Sequence, residues 1–245
     1  LRRLADVCDV ATFGLGAHDV YDETYRKAGK LDSQYFSAKF DPVATGLLDR
    51  LRDILLVGHA DDVSIRPELY KLNVYGPGSF FRPHKDTPRG DGMFASLVII
   101  YPTVHEGGSL LFHHGMMEHT FNSAAQLSET GGPTIAFAAF YSDVEHEVSL
   151  VDSGYRVTLT YNLHYVFTHA PRLQSFFSNT EERVLRDALA QLLADKTFLP
   201  RGGFIGFGLS HQYATTSRKT TSLSEITAMK GKDAVLMKVC KGLGI

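Results

Sequence analysis

The segment Tyr155 to Leu163, YRVTLTYNL, leaves the chain little choice of local structure. Apolar and polar residues alternate strictly. Val157, Leu159, Tyr161 and Leu163 share one side, and Arg156, Thr158, Thr160 and Asn162 share the other. An extended strand turns successive side chains to opposite faces, which is the period seen here. A strand carrying Arg-x-Thr-x-Thr on one face is either half exposed or lines a polar cavity. It is not alone. Strand-like runs follow one another at 69–75, 79–86, 94–101, 109–114, 118–122, 134–140, 145–150 and 155–163, separated by turn signals. Eight short strands in this arrangement predict a sandwich or jelly roll.

The flanks differ. Residues 1–12 read as a helix. Residues 13–40 are polar, Tyr-rich and contain Gly, and read either as a surface loop with a short helix or as a flap over a site mouth. Asp41-Pro42 opens an amphipathic helix over 41–58. Beyond Tyr165, EERVLRDALAQLLAD predicts a second amphipathic helix, GGFIGFGL at 202–209 a glycine-rich strand, and residues 225–240 a further helix. The expected organisation is one α+β domain over 1–245. Residues 1–65 supply N-terminal helices and the possible flap, 66–165 the β core, and 166–245 a C-terminal extension. Loops are expected at 88–92 and 128–133.

Composition excludes some classes of function. A net charge of −2 gives no sign of general nucleic-acid affinity. No run of 18 apolar residues occurs, so no membrane partner is expected. Cys8 and Cys240 are too few for a disulfide framework and read as reduced thiols, which with no visible signal peptide predicts an intracellular, cytoplasmic protein. Strand–GxGxxG–helix, GxSxG and phosphate-loop patterns are missing from the sequence.

Chemistry concentrates in KLNVYGPGSFFRPHKD, residues 71–86. Tyr75-Gly76-Pro77-Gly78 is a turn signal before a strand that ends in His84-Lys85-Asp86. Residues i and i+2 of a strand share a face, so His84 and Asp86 aim an imidazole and a carboxylate at one point. The tripeptide alone proves little, since random order yields roughly one His-x-Asp in a chain of this composition. A second, His59-Ala60-Asp61, follows a helical pattern beside Gly58, and His59 reads as an exposed helix-end histidine. Downstream, Val144 to Val148 alternates, Asp152-Ser153-Gly154 turns, and the resulting hairpin brings His146 and Arg156 to one region. His146 supplies a third ligand of the two-His, one-carboxylate kind, and Arg156 a fixed cation for a carboxylate. His113, His114 and His119 are not expected to bind metal, because adjacent strand residues face opposite ways. His105 beside Gly107-Gly108 is expected to face solvent.

Tyr75, His84-x-Asp86, Gly107-Gly108, His146 and Arg156, in this order and spacing, resemble the prolyl-4-hydroxylase-like branch of the iron(II)/2-oxoglutarate oxygenases. The resemblance covers roughly Leu72 to Tyr165. It implies a double-stranded β-helix, a distorted jelly roll, with helices outside it. It implies Fe(II) held by His84, Asp86 and His146, and 2-oxoglutarate bound through Arg156 with Tyr75 and Thr158 as hydroxyl donors. It also implies O2 as oxidant, ascorbate as reductant, and release of succinate and CO2 as an unidentified peptidyl, amino-acid or small-molecule substrate is hydroxylated. Many collagen-type relatives have Lys where this chain has Arg156, and Tyr where it has Phe81. Two other classes stay open, a cupin-type metalloprotein that does not use 2-oxoglutarate and a catalytically silent binding module. The sequence specifies neither the substrate nor an oligomeric state.

Overall fold

The computed structural model describes residues 1–15, 18–59, 63–87, 92–114, 116–129, 134–167, 180–213 and 229–245. The contacts divide the chain into two compact units, residues 1–44 with 66–164 and residues 45–65 with 165–245. Among the described residues no helix is long and apolar enough to cross a membrane.

The first unit is built on two sheets. The chain enters through α1 (Arg2–Asp6), β1 (Asp9–Val10), β2 (Phe13–Leu15), β3 (His18–Val20), β4 (Arg26–Lys27) and β5 (Gly29–Asp32). Ten strands follow: β6 (Val63–Tyr75), β7 (Phe80–His84), β8 (Met93–Ile100), β9 (His105–Gly107), β10 (Leu110–His114), β11 (Met117–Phe121), β12 (Ala136–Tyr141), β13 (Glu145–Val148), β14 (Val151–Gly154) and β15 (Arg156–Phe167). The six-stranded sheet has the order β1-β5-β6-β15-β8-β12 and the five-stranded sheet β11-β10-β13-β7-β4. Apart from the β10–β11 hairpin, which stays within one sheet, successive strands of the run cross between the two sheets, and the last, β15, lies between the first and third, β6 and β8. That order is the double-stranded β-helix. The expected eight strands are found, with β9 and β14 added as a separate pair.

The hydrophobic pattern explains which strands sit inside. β8 carries the run LVII, and Phe94, Ala95, Leu97, Ile99 and Ile100 are buried. A strand buried on both faces reads as continuous rather than alternating. β15 is also buried on both faces, its apolar side through Val157, Leu159, Tyr161 and Leu163. Its polar side is therefore not a wet surface. Arg156 and Thr158 are buried and line a cavity, the second of the two readings open from sequence. Between the sheets, Tyr75 packs with Phe81, Leu110, Val148 and Val151.

The N-terminal expectations need correction. The first helix ends at Asp6, and Asp9–Val10 pairs antiparallel with Lys30 and Gly29 instead of continuing the helix. Residues 13–40 are not a loop with a short helix alone. They form the β2–β3 hairpin, and they extend both sheets through β4 and β5, with one 3-10 turn at Ser33–Tyr35. Ladder pairing with β6 and β7 outweighs the weak local propensity of this polar stretch.

In the second unit, α2 (Leu47–Leu55) starts later than Asp41-Pro42 suggests, because turns occupy residues 42–46. The carboxylate of Asp41 instead accepts from Val43 N–H at 2.8 Å, an Asx turn ahead of the helix. After α3 (Ser123–Glu129) of the first unit come α4 (Thr180–Ala194) and α5 (Gly231–Leu243), which pack through Leu189, Val235 and Val239. Glu182 ties them together by accepting from Lys238 at 2.9 Å. Residues 202–209 form no strand; with no neighbouring strand among the described residues to pair with, the segment lays Phe204, Ile205 and Phe207 along an apolar cavity of about 960 Å³ beside Met237. Residues 225–228, Asp61, and most of the loops expected at 88–92 and 128–133 lie outside the described residues.

Two glycines make a test of how tightly the backbone is determined. Gly154 has φ +74°, and a Cβ there would lie 2.2 Å from Val104 O. Gly46 has φ +71° and open space around it. Gly46→Ala should cost about 1 kcal/mol for the left-handed conformation alone. Gly154→Ala should cost at least about 2 kcal/mol more, because it adds a backbone clash. Urea denaturation of the two variants measures the difference, and equal losses would show that the turn at Gly154 relaxes freely.

Candidate metal and carboxylate site

β7 and β13 pair antiparallel with His84 directly opposite His146. Their rings stand 4.3 Å apart, centroid to centroid. Asp86 lies two residues past the end of β7, not on the strand as the sequence suggests, yet its Oδ1 is 3.8 Å from His146 Nε2. Ligand atoms of His84, Asp86 and His146 all lie within 4.8 Å of one another, and among the described residues no other His, Cys or carboxylate group gathers so.

Both imidazoles are fixed in one tautomer by their own strands. His84 Nδ1 is 2.8 Å from Arg82 O, and His146 Nδ1 is 3.0 Å from Val144 O. A carbonyl can only accept, so each Nδ1 carries a proton, which leaves Nε2 as the nitrogen able to present a lone pair when the ring is neutral. Burial, then the nearby His146, pushes His84 down to about 2, so its ring is neutral across the physiological range. Neutral imidazole is the form that binds metal. Ser96 Oγ donates to Asp86 Oδ2 at 2.5 Å, which holds the carboxylate and leaves Oδ1 toward His146.

From the triad a cavity of about 100 Å³ reaches Tyr75, Arg156 and Thr158. Arg156 is 1 % exposed, and its Nε and Nη2 have no hydrogen-bond partner. No carboxylate among the described residues pairs with it. Tyr75 faces it with its ring, 5.6 Å from centroid to guanidinium carbon. Burial lowers the Arg156 pKa to about 10, which still leaves it charged at neutral pH. A desolvated cation with two unused donors is costly unless an anion completes it.

Residues 70–164 match the family model of the 2OG-Fe(II) oxygenase superfamily. Over that stretch the chain is similar to the 2OG-Fe(II) oxygenases. Members of that superfamily are dioxygenase-type enzymes that use Fe(II), 2-oxoglutarate and O2. Similar solved structures include a prolyl-4-hydroxylase from Pseudomonas putida, at 21 % identity and TM-score 0.39, covering 66 % of this chain and 80 % of that one. A 2OG-Fe(II) oxygenase-family oxidoreductase from Burkholderia pseudomallei is 17 % identical at TM-score 0.38, covering 66 % of this chain and 76 % of that one. The viral collagen prolyl hydroxylase of Paramecium Bursaria Chlorella virus-1 is 14 % identical at TM-score 0.34, covering 57 % and 79 %. No curated protein matches the chain.

Several residues stand where the sequence did not put them. His105 does not face solvent: it is buried, its Nδ1 donates to Thr103 O at 2.6 Å, and its Nε2 has no partner. Burial first, and the charge of Arg156 with it, lower the His105 pKa, against the raising effect of the hydrogen bond to Thr103 O. Gly107-Gly108 has a spatial reason, since a Cβ on Gly108 would lie 2.9 Å from Arg156 Cδ. His113 pairs with Glu118 and Glu147 at 3.8 and 4.0 Å. His113, His114 and His119 form no metal-binding group among the described residues. His59 is half-buried, with Met229 O against its Nε2 and Tyr165 beside its ring. Ser96 and Arg26 line the cavity and carry no sequence signal beyond their positions in strands.

The unpaired charge gives a prediction for the ligand-free chain. Arg156→Met fills similar volume without a charge, so it should leave stability unchanged or raise it by about 1–4 kcal/mol. Thermal unfolding in 2-oxoglutarate-free buffer checks this, and a clear loss of stability would mean that the guanidinium already has its compensation within the chain.

Proposed function

We propose that His84, Asp86 and His146 hold Fe(II), that Arg156 with Tyr75 and Thr158 holds the far carboxylate of 2-oxoglutarate, and that the domain hydroxylates an organic substrate. The observation that carries this reading is Arg156, a buried cation without an anion, at the other end of the cavity that begins at the triad. Two imidazoles and one carboxylate suit iron and leave coordination positions open, whereas a structural zinc site takes four protein ligands, often Cys. Bound there, iron with 2-oxoglutarate supplies the activation of O2, with succinate and CO2 as co-products.

The chain's own residues position and exclude. Arg82 O and Val144 O fix the His84 and His146 rings, and Ser96 fixes Asp86, so the donor set is preorganised. Arg156 offers a planar fork that a carboxylate can fill with two parallel hydrogen bonds. Val98, Leu110, Phe140 and Val148 line the same cavity with apolar surface, which keeps water from competing for that fork. A cupin-type reading without 2-oxoglutarate leaves the Arg156 charge without a partner, and the observation therefore favours the oxygenase.

Anaerobic titration of 2-oxoglutarate into the metal-loaded chain tests the assignment. Arg156→Ala should weaken binding by roughly 30- to several-thousand-fold, the equivalent of about 2–5 kcal/mol for truncating one side of a buried charge pair. Arg156→Lys should lose less, and Tyr75→Phe less again, about 0.5–1.5 kcal/mol. Unchanged affinity in Arg156→Ala would remove 2-oxoglutarate from the site.

Metal titration tests the triad. His84→Ala and Asp86→Ala should abolish tight Fe(II) binding and turnover, and Ser96→Ala should lower metal affinity by about 10- to 100-fold. His59→Ala should leave both unchanged. Normal turnover in His84→Ala would place the metal elsewhere.

A further inference from the structure

A second cavity, of about 350 Å³, shares His84 and Asp86 with the first but touches none of Arg156, Tyr75 and Thr158. Phe13, Tyr25 and Phe81 wall it: the Phe13 and Tyr25 rings stand 4.4 Å apart and those of Tyr25 and Phe81 6.1 Å. Arg26 lines both cavities and is 6 % exposed. Its Nη1 donates to Thr12 O at 2.5 Å and its Nη2 to Asn73 Oδ1 at 2.9 Å, both neutral acceptors. Its Nε is buried without a partner. The guanidinium carbon stands 4.3 Å from the Phe81 ring centroid, and the His84 ring stacks on Phe81 at 3.5 Å. Lys71, also buried, lines the same cavity.

The charges do not balance. Asp86 is the one acid among the described residues that line either cavity, and it belongs to the triad. No carboxylate of the described residues pairs with Arg26. A guanidinium removed from water, with only neutral acceptors on two of its nitrogens, keeps its net charge uncompensated. Under the reading above, one end of 2-oxoglutarate meets the metal and the other meets Arg156, so the co-substrate offers Arg26 no remaining carboxylate.

We infer that the substrate is a small organic carboxylate, its anionic group held by Arg26 and its apolar body against Phe13, Tyr25 and Phe81 beside the metal triad. The inference rests on the oxygenase reading for what happens to that substrate, but the anion site itself follows from Arg26. A cavity near the lower end of the range for small-ligand sites suits a compact molecule, not an extended polymer. The aromatic wall gives area and the guanidinium gives orientation, so a chosen carbon of the body is presented toward the triad.

The test compares 3-phenylpropionate with 3-phenylpropionamide, which differ in charge and scarcely in shape. Binding of each is followed by ligand-observed NMR on the full chain loaded with Zn(II) and saturating 2-oxoglutarate, a state that cannot turn over. The acid should bind at least about tenfold more tightly than the amide, as expected when one hydrogen-bonded member of a buried charge pair is neutralised. Arg26→Gln should erase that preference, and Arg26→Lys should restore part of it. Affinity for 2-oxoglutarate should stay within about threefold of wild type in Arg26→Gln while collapsing in Arg156→Ala.

Equal binding of acid and amide to the wild-type chain overturns the inference, and that comparison needs no variant to fold. So does absence of acid binding in the millimolar range, or an acid preference that survives Arg26→Gln. A loss of 2-oxoglutarate affinity in Arg26→Gln as large as in Arg156→Ala also overturns it, by giving Arg26 to the co-substrate. Failure of the oxygenase reading appears separately, as 2-oxoglutarate binding indifferent to Arg156→Ala. The acid–amide comparison on the metal-free chain then still decides for or against the anion site.

Discussion

The register of β13 against β7 is the constraint on which the site depends. His84 and His146 face each other because these two strands pair antiparallel at that step. A slip by one residue would turn every side chain of β13 to the opposite face, and His146 would leave the triad. The register is held from both sides. β10 pairs along β13 from Leu110 opposite Val148 to His113 opposite Glu145, and Val148 packs into the core with Phe81 and Leu110. The irregularity between His146 and Val148 is confined to the β7 side. The apolar core thereby sets the separation of the polar groups beside it.

Along the other sheet the same logic works with charge. β15 presents Arg156, Thr158, Thr160 and Asn162 inward, between β6 and β8, while its alternate residues are packed outward. One strand thus supplies the cation near one end and lines the second cavity with Thr160 and Asn162. Asn73 of β6 links the two regions, accepting from Arg26 and donating to Thr160 Oγ1 at 3.1 Å. Two arginines from opposite sheets end up buried and lining the cavities at one triad, each without a carboxylate partner among the described residues. Rigid strands, not loops, hold both.

What could be read from sequence divides along physical lines. Strands of the run were legible because burial of one or both faces imposes period two or an unbroken apolar run, as in YRVTLTYNL and LVII. His84 and His146 were legible because strand alternation and a short hairpin limit where they can point. Arg26 was not, since β4 is two residues long and has no period, and its strand status comes from pairing with Phe80 and Phe81. His105 was misplaced for a related reason. Its neighbours Glu106 and Gly107 look like a surface turn, but β9 pairs with β14, and that pairing turns the imidazole inward near Arg156. The strand expected at 202–209 failed in the opposite direction, because apolar residues without a ladder partner have no reason to stay extended in a sheet.

The lengths of the outermost strands differ between the two ends of the sheets. One end closes on β1 and β4, two residues each, and β4 is Arg26-Lys27. The other closes on β12 and β11, six and five residues long. A two-residue border offers another polypeptide almost no free backbone to recruit, and basic side chains discourage it further. Any self-association by edge-to-edge strand addition among the described residues is thereby directed to β11 and β12, leaving the β4 border, where Arg26 stands, free of that hazard during concentration or storage of the protein.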